Sequence, residues 1–255
     1  MSALFDVSGR LALVTGSSRG LGRAMAGGLA EAGARVVLHG RDREQLHRAQ
    51  EELARRTGTA PAVVSFDVTD AAAVAEGVAA LVAEHGAPDV LVNNAGIQRR
   101  APFDEFDPAD WDALVAANLS SVFHVSRAVV PHMVARGSGK VVNVASVQSV
   151  LARRTIAPYT ATKGGVALLT KGMAADLTGR GVQVNAISPG YFATEMNAAL
   201  VADEAFTAWV EQRTPAGRWG RVEELLGTLI YLCSDASSFV SGQNVVVDGG
   251  MTSVL

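Results

Sequence analysis

Seven short apolar segments alternate with longer helical patterns, and this alternation constrains the fold more than any other feature. The apolar segments span residues 11–15, 35–38, 62–66, 90–93, 140–145, 182–187 and 244–247. The helical patterns span residues 21–32, 42–56, 71–85, 108–134, 159–179 and 222–234. Continuous apolar strands such as VVNVA are typical of parallel sheets buried on both faces. The chain is therefore predicted to be α/β, a doubly wound sheet of about seven parallel strands with helices on both faces.

A closed eight-strand barrel is the competing α/β architecture for 255 residues. The count of seven strands and the glycine-rich first turn favour the open sheet. No linker, repeat or charge block divides the chain, so we expect a single domain over residues 1–255. The one irregular stretch, within about 190–220, is expected to form a substrate lid over a cleft. The alternative for this stretch is an excursion that packs helices against the sheet.

Composition excludes several classes of function. Lys and Arg total 22 against 25 Asp and Glu, a net charge of −3, which does not favour a nucleic-acid partner. The single cysteine, Cys233, excludes an intrachain disulfide and argues against a structural zinc site. No apolar run approaches the roughly 18 residues of a membrane helix, and the N-terminus lacks the pattern of a signal peptide. We therefore expect a cytoplasmic protein without a membrane partner or a metal.

A glycine-rich turn, TGSSRGLG at residues 15–22, joins the first strand to the first helix. Gly16 permits a positive φ, Gly20 lets backbone approach a diphosphate, and Gly22 lets the helix lie close to the strand. The helix N-terminus adds free N–H groups and a positive dipole end. In this βαβ context the turn predicts a dinucleotide site. The alternative is a glycine turn that serves packing alone.

The end of the second strand indicates which dinucleotide binds. NAD-binding sheets usually carry an acid there for the ribose 2′-hydroxyl, but this strand ends in VVLHGRD without one. Arg41 follows the strand and Arg19 lies in the glycine turn, and guanidinium groups suit a 2′-phosphate. We predict NADP, with NAD possible. In the alternative, Arg41 is solvated and Asp42 caps a helix or binds the ribose.

Tyr159 and Lys163 form a Tyr-x-x-x-Lys pair, which on a helix shares one face. A free tyrosine has a pKa near 10, too high for efficient proton exchange at neutral pH. A nearby ammonium and a cationic nicotinamide ring would lower that pKa. Ser146 follows the fifth strand, and its hydroxyl could hold a substrate oxygen beside the phenol. The alternative is that Tyr159 and Lys163 are ordinary residues of a helix face.

These motifs together resemble the short-chain dehydrogenase/reductase family over essentially the whole chain. The matches are T-G-x-x-x-G-x-G at 15–22, D-V at 67–68, N-N-A-G at 93–96, Asn118, Ser146, Y-x-x-x-K at 159–163, P-G at 189–190 and D-G-G at 248–250. The resemblance implies a Rossmann-like oxidoreductase acting on CH–OH groups. Most family members are homotetramers that associate through the long central helices and the C-terminal strand.

The resemblance also implies a role for each motif residue. Tyr159 would be the general acid/base, Lys163 would bind the ribose and lower the tyrosine pKa, and Ser146 would orient the substrate. Asn118 would hold a proton-relay water. The implied cofactor-binding set is Gly16, Ser18, Arg19, Gly20, Leu21, Gly22, Arg41, Asp67, Val68, Asn94, Ala95, Gly96, Tyr159, Lys163, Pro189, Gly190 and Thr194.

Within the family, segments 93–100, 146–149, 190–196 and 213–220 resemble the gluconate 5-dehydrogenases, also called 5-keto-D-gluconate reductases. This implies an NADP-dependent exchange of hydride with a small sugar acid, gluconate or 5-ketogluconate. Val150 departs from the pattern, because those enzymes usually carry Glu there. The alternatives are 3-oxoacyl carrier protein reductase, another sugar or polyol dehydrogenase, and a dinucleotide sensor without turnover.

An anionic substrate also fits the arginines. Arg99-Arg100 and Arg153-Arg154 follow two strands that we expect to be neighbours, where guanidinium groups could bind a carboxylate. The predicted substrate-binding residues are Ser146, Gln148, Arg153 and Tyr159. In the alternative, these arginines face solvent or make subunit contacts.

Overall fold

Seven parallel strands form one open sheet in the computed structural model, which describes residues 3–194 and 197–254. The strands are Leu11–Val14 (β1), Arg35–His39 (β2), Ala62–Val64 (β3), Val90–Asn93 (β4), Gly139–Val144 (β5), Val182–Pro189 (β6) and Asn244–Val247 (β7). Their order is β3-β2-β1-β4-β5-β6-β7, and all neighbours are parallel. The doubly wound prediction is confirmed, and the barrel is excluded.

Helices follow nearly every strand. Within the described residues the α-helices are Gly20–Glu31 (α1), Arg43–Thr57 (α2), Ala71–His85 (α3), Pro108–Val115 (α4), Ser121–Arg136 (α5), Ala157–Leu177 (α6), Ala198–Val201 (α7), Glu204–Arg213 (α8) and Glu223–Cys233 (α9). Asp42 and Asp70 start α2 and α3 by accepting hydrogen bonds from backbone N–H groups of the first turn.

The side chains of each strand point alternately to the two faces of the sheet, and helices cover both faces. Val14 of β1 packs with Met25 of α1 and Leu229 of α9 on one face. Leu13, the preceding residue, packs with Val129 of α5 on the other face. Since successive strand side chains point to opposite faces, a strand can be apolar throughout only when helices cover both.

The long helical pattern at 108–134 is interrupted, contrary to the prediction of a continuous helix. A π-helical turn, Ala116–Ser120, separates α4 from α5 and contains Asn118. Apolar residues continue on both sides of this turn, so the sequence alone predicts one continuous helix across it. The run 108–136 is long and apolar enough to cross a membrane by length and composition, but half of its most apolar window is buried inside the fold, as in a core helix.

Two further differences concern the C-terminal third. β6 continues to Pro189 instead of ending at residue 187, because it pairs with β7 as far as the register Pro189 to Val247. The stretch expected to be irregular, 190–220, contains the helices α7 and α8. Glu195 and Met196, which belong to one of the segments of resemblance, lie outside the described residues.

Candidate active site

One cavity of about 1070 Å³ opens where the carboxyl ends of the central strands meet. Its position beside β1 and β4, where the strand order reverses, is the usual ligand site of an open α/β sheet. The predicted residues that line it are Gly16, Ser18, Arg19, Leu21, Gly22, Arg41, Asp67, Val68, Asn94, Ala95, Gly96, Asn118, Ser146, Tyr159, Lys163, Pro189, Gly190 and Thr194. The predicted residues Gly20, Gln148 and Arg153 are not in this lining.

The glycine turn has the backbone that its sequence predicts. Gly16 and Gly20 have φ values of +63° and +58°, which disfavour any residue with a Cβ. A Cβ on Gly22 would lie 2.2 Å from the Gly16 carbonyl oxygen. No side chain caps the N-terminus of α1, so its first N–H groups face the cavity without a capping oxygen. This geometry fits a cofactor diphosphate.

The turn is braced by the end of β4. The Thr15 hydroxyl accepts hydrogen bonds from the N–H groups of Asn94 and Ala95, at 3.0 and 3.1 Å. In return, the Asn94 amide donates to the carbonyls of Thr15 and Gly16, at 2.9 and 3.1 Å. Part of the N-N-A-G motif therefore binds the glycine turn itself. Sequence reasoning missed the bracing role of Thr15.

Arg41 lies at the end of β2, as predicted, and forms an ion pair with Asp67. The distance from its Nη1 to the Asp67 Oδ2 is 3.0 Å, and both side chains are partly exposed. Burial opposes ionisation of Asp67, but hydrogen bonds from Thr69 and Arg41 hold its pKa below the usual value. Asp42 is the N-cap of α2, one of the alternatives left open by the sequence. A guanidinium thus lines the cavity just beyond the end of β2.

His39, the last residue of β2, also lines the cavity but is only 2% exposed. Burial lowers the pKa of its imidazole to about 4, and the carbonyl of Phe66 and the charge of Asp67 oppose that shift only in part. The side chain at this strand end is therefore neutral at physiological pH. The sequence showed only that this strand ends without an acid, and it did not single out the histidine.

Tyr159 and Lys163 lie one turn apart on α6, with the Lys163 Nζ 5.7 Å from the centre of the Tyr159 ring. Lys163 is buried and donates a hydrogen bond of 2.7 Å to the Val144 carbonyl, and burial lowers its pKa to about 8. The Ser146 hydroxyl lies close enough to the Tyr159 phenol to favour its ionisation, and it accepts from the Gln148 N–H at 3.2 Å. The structure thus brings the predicted serine, tyrosine and lysine together.

The chain by itself does not lower the Tyr159 pKa, and the expected lowering, which includes the charge of the nicotinamide ring, stays a prediction. Burial raises the pKa of this phenol, and the nearby Ser146 hydroxyl and the Arg100 charge offset only part of that effect. The Lys163 ammonium is directed to a carbonyl behind the ring and is itself desolvated. Without a further positive charge in the cavity, desolvation of the phenolate outweighs these groups.

Asn118 lines the cavity from the π-helical turn, and its side chain is engaged by the loop after β4. Its Oδ1 accepts from the Ile97 N–H at 2.7 Å, and its Nδ2 donates to the Ile97 carbonyl at 3.0 Å. The side chain therefore positions this loop. The π-helical turn places the amide there, because an extra residue in the turn rotates it relative to a regular helix.

The predicted arginines differ in their surroundings. Arg99 lines the cavity but forms an ion pair with Asp110 at 3.2 Å. Arg100 has a lowered pKa because of partial burial and the nearby charge of Arg153. The Arg153 guanidinium lies 5.2 Å above the ring of Phe206 in α8, and its Nε has no hydrogen-bond partner among the described residues.

An aromatic cluster that the sequence did not predict holds α8 against the end of β6. It consists of Tyr191, Phe206, Trp209 and Trp219. The Tyr191 ring meets the other three edge to face, with centroids 5.6 to 5.7 Å apart. Tyr191 also lines the cavity, whereas Gln148 is buried and its amide oxygen has no partner among the described residues.

No group of three or more His, Cys, Asp or Glu side chains in the described part of the chain could hold a metal ion. Val150, which stands where the gluconate 5-dehydrogenases usually have Glu, is 59% exposed.

Comparison with known proteins identifies the family. Residues 16–252 match the family described as "Enoyl-(Acyl carrier protein) reductase". The gluconate 5-dehydrogenase of Gluconobacter oxydans (strain 621H) is 57% identical over 98% of this chain and 97% of its own length. This chain is a short-chain dehydrogenase/reductase.

Two further matches cover this short-chain dehydrogenase/reductase almost completely. The 5-keto-D-gluconate 5-reductase of Escherichia coli (strain K12) is 47% identical over 98% of both chains. The crystal structure of a gluconate 5-dehydrogenase from Burkholderia cenocepacia J2315, in complex with NADP and tartrate, is 54% identical. It superposes with a TM-score of 0.95 over 99% of both chains. The family resemblance stated from the motifs is therefore confirmed.

The neutral His39 makes folding stability dependent on pH. Its pKa is 6.5 when unfolded and about 4 when folded, so the unfolded chain binds a proton first as pH falls. Stability from this group is present above pH 6.5 and is lost as pH falls toward 4. Between pH 6.5 and pH 5, protonation of His39 in the unfolded chain should lower the free energy of unfolding of the unmutated protein by about 1.5 kcal/mol. The His39→Asn variant has no titrating group there, so it should not show this part of the loss. Urea unfolding of both proteins at each pH measures it, and parallel pH profiles would contradict it.

Proposed function

We propose that this short-chain dehydrogenase/reductase is an NADP-dependent oxidoreductase that transfers a hydride between nicotinamide and the secondary alcohol or ketone of a small sugar acid, gluconate or 5-ketogluconate. One observation carries the proposal: the same cavity holds a Ser-Tyr-Lys cluster, a glycine turn and a guanidinium at the end of β2. The gluconate-specific names of the relatives described above support the substrate.

The proposed chemistry needs a proton donor beside a carbonyl oxygen. The reduced cofactor supplies the hydride to the carbonyl carbon. Tyr159 donates its phenolic proton to the oxygen, and the Ser146 hydroxyl holds that oxygen by a hydrogen bond. Lys163 holds the ribose and stabilises the resulting phenolate, and Asn118 holds a relay water that restores the proton. In the oxidative direction, the same groups act in reverse order.

The cofactor is proposed to lie along the glycine turn with its diphosphate at the N-terminus of α1. Residues 16 and 18–22 surround the diphosphate, and Asp67 and Val68 border the adenine. The stretch 94–96 borders the cofactor on the β4 side, and Pro189, Gly190 and Thr194 border it on the β6 side. Arg41 and Arg19 bind the 2′-phosphate. The ion pair with Asp67 supports this role, because it holds Arg41 over the cavity before the phosphate arrives.

The substrate end is proposed to lie between Tyr159 and the stretch 190–220, which serves as a lid. The cluster of Tyr191, Phe206, Trp209 and Trp219 supports the lid, since it joins α8 to the wall of the cavity. Arg153, with Arg100, supplies positive charge for the carboxylate, and both charges act on Tyr191. Gln148 is the fourth proposed substrate-binding residue, with Ser146, Arg153 and Tyr159, and its side chain is buried outside the cavity lining.

Assembly and location follow the family. We propose a homotetramer in the cytoplasm. Large apolar side chains on the central helices support association: Phe123 of α5 is 54% exposed and Leu168 of α6 is 69% exposed.

A 3-oxoacyl carrier protein reductase is the less supported candidate. The enzyme of that name from Thermotoga maritima is 38% identical, well below the gluconate 5-dehydrogenase. The charges of Arg100 and Arg153 act on Tyr191 in the cavity wall, which favours an anionic substrate over a neutral acyl chain.

Tyr159→Phe tests the acid/base assignment, because it removes the proton donor and keeps the ring. Positioned acid/base catalysis contributes about 10²- to 10⁴-fold, so turnover with NADPH and 5-ketogluconate should fall by at least that scale. NADPH binding, followed by fluorescence, serves as the control and should persist. Near-normal turnover of the variant would refute the assignment.

Arg41→Ala tests the cofactor. A charge-assisted hydrogen bond contributes about 1.5–3 kcal/mol, so the Kd for NADPH should rise about ten- to a hundred-fold. The Kd for NADH should change little, because NADH lacks the 2′-phosphate. Arg43→Ala, an exposed residue at the start of α2 outside the cavity lining, is the matched control. Equal losses for both cofactors would show that Arg41 does not read the phosphate.

Arg153→Ala tests the anionic substrate. Loss of a partly screened charged hydrogen bond, worth about 1–2 kcal/mol, should raise the KM for 5-ketogluconate about five- to thirty-fold. The KM for a neutral ketone of similar size should change less. Arg154→Ala, exposed on the same loop, is the control, and all assays share one salt concentration. If acidic and neutral ketones lose equally, Arg153 acts only by packing on Phe206.

A further inference from the structure

The His39 ring connects three separate segments at the cofactor end of the cavity. Its Nδ1 accepts a hydrogen bond from the Gly16 N–H at 3.1 Å. Its Nε2 lies 3.1 Å from the Phe66 carbonyl oxygen, just beyond β3. The ring also packs against the Phe66 ring, with centroids 4.2 Å apart. One buried side chain therefore joins the glycine turn, the end of β2 and the segment after β3.

The two partners determine where the imidazole proton lies. An N–H group can only donate, so the nitrogen facing Gly16 must carry a lone pair. A carbonyl can only accept, so the nitrogen facing Phe66 must carry the hydrogen. Only the neutral imidazole with its proton on Nε2 satisfies both partners. A protonated ring would set an N–H group against the Gly16 N–H.

The backbone of His39 strengthens the same connection. The His39 N–H donates to the Ser17 hydroxyl at 2.8 Å, and the Ser17 N–H donates to the His39 carbonyl at 2.9 Å. The turn has little freedom to adjust, since even a Cβ on Gly16 would lie 2.9 Å from the Ala95 Cα. The imidazole acceptor and the two Ser17–His39 hydrogen bonds therefore hold the Gly16 peptide on the β2 side.

We propose that His39 is a positioning residue for the cofactor diphosphate, acting through the Gly16 N–H that its Nδ1 accepts. The imidazole holds the glycine turn in its binding shape, and its contact with Phe66 keeps the ring in place. This inference rests on the proposed function, because it assigns the diphosphate to the glycine turn. NAD-binding sheets usually carry an acid at this strand end, where it binds the ribose. Here the strand ends in a neutral imidazole that contacts the glycine turn instead.

A pair of amide variants separates the two ring contacts. His39→Asn places an oxygen near the position of Nδ1 and can still accept from Gly16, but it is too short to reach Phe66. His39→Gln places its amide near the position of Nε2, and it leaves the Gly16 N–H without its acceptor. Loss of one such hydrogen bond corresponds to about ten-fold in affinity. We expect Gln to raise the Kd for NADPH and NADH about ten-fold each, and Asn to stay within about three-fold.

Equal effects on the two cofactors distinguish this role from that of Arg41, which should affect NADPH alone. Urea unfolding of each variant provides the structural readout. If the Kd values of the Asn and Gln variants are equal, the proposal is overturned even when both variants lose stability. Failure of the unmutated protein to bind either cofactor would instead overturn the proposed function.

The unmutated protein permits a second measurement that does not depend on a variant's folding. The ¹⁵N shifts of the His39 ring report which nitrogen is protonated, and hydrogen exchange reports the Gly16 amide. We expect a proton on Nε2 at pH 7 and a Gly16 amide protected from exchange. A proton on Nδ1, or a Gly16 amide that exchanges freely, would contradict the proposal.

Discussion

The parallel direction of all seven strands is the constraint on which the site depends. Because every strand runs the same way, each loop after a strand leaves from the same edge of the sheet. Residues as distant in sequence as Gly16, Asn94, Ser146 and Pro189 therefore line one cavity. Helices on both faces keep the strands buried, so the loops are held by a rigid base, and catalytic side chains can be placed accurately on it.

Desolvation sets the protonation of Tyr159 and Lys163 in the proposed catalytic cluster. Burial raises the pKa of Tyr159 and lowers that of Lys163 to about 8, so both groups are shifted toward their neutral forms. A positive charge brought into the cavity beside the phenol would favour phenolate. The oxidised nicotinamide ring carries such a charge. The tyrosine is thus protonated by default, as the proposed proton donor requires, and a bound oxidised cofactor would lower its pKa.

The charged groups around the cavity differ in whether a carboxylate pairs with them. Arg99 is paired with Asp110 and Arg41 with Asp67, and both pairs are partly exposed, so each contributes little to stability. The charges of Arg100 and Arg153 repel each other, and both act on Tyr191. Two like charges held close together gain from an anion between them, and a sugar acid provides a carboxylate. His39 follows the opposite rule, since complete burial keeps it neutral and makes it a hydrogen-bonding group.

The sequence alone determined the α/β class, the seven strands and the position of the glycine turn, because hydrophobic continuity and glycine spacing are local properties of the chain. It also identified Ser146, Tyr159 and Lys163, whose convergence follows from strand ends and helix periodicity. Only the tertiary structure decided the π-helical turn at Asn118, the aromatic cluster around Tyr191 and the contact of Arg153 with Phe206. The role of His39 is of the same kind, because its partners, Gly16 and Phe66, are 23 and 27 residues away along the chain. Contacts of this range depend on how strands and loops assemble, and no periodicity within the sequence encodes them.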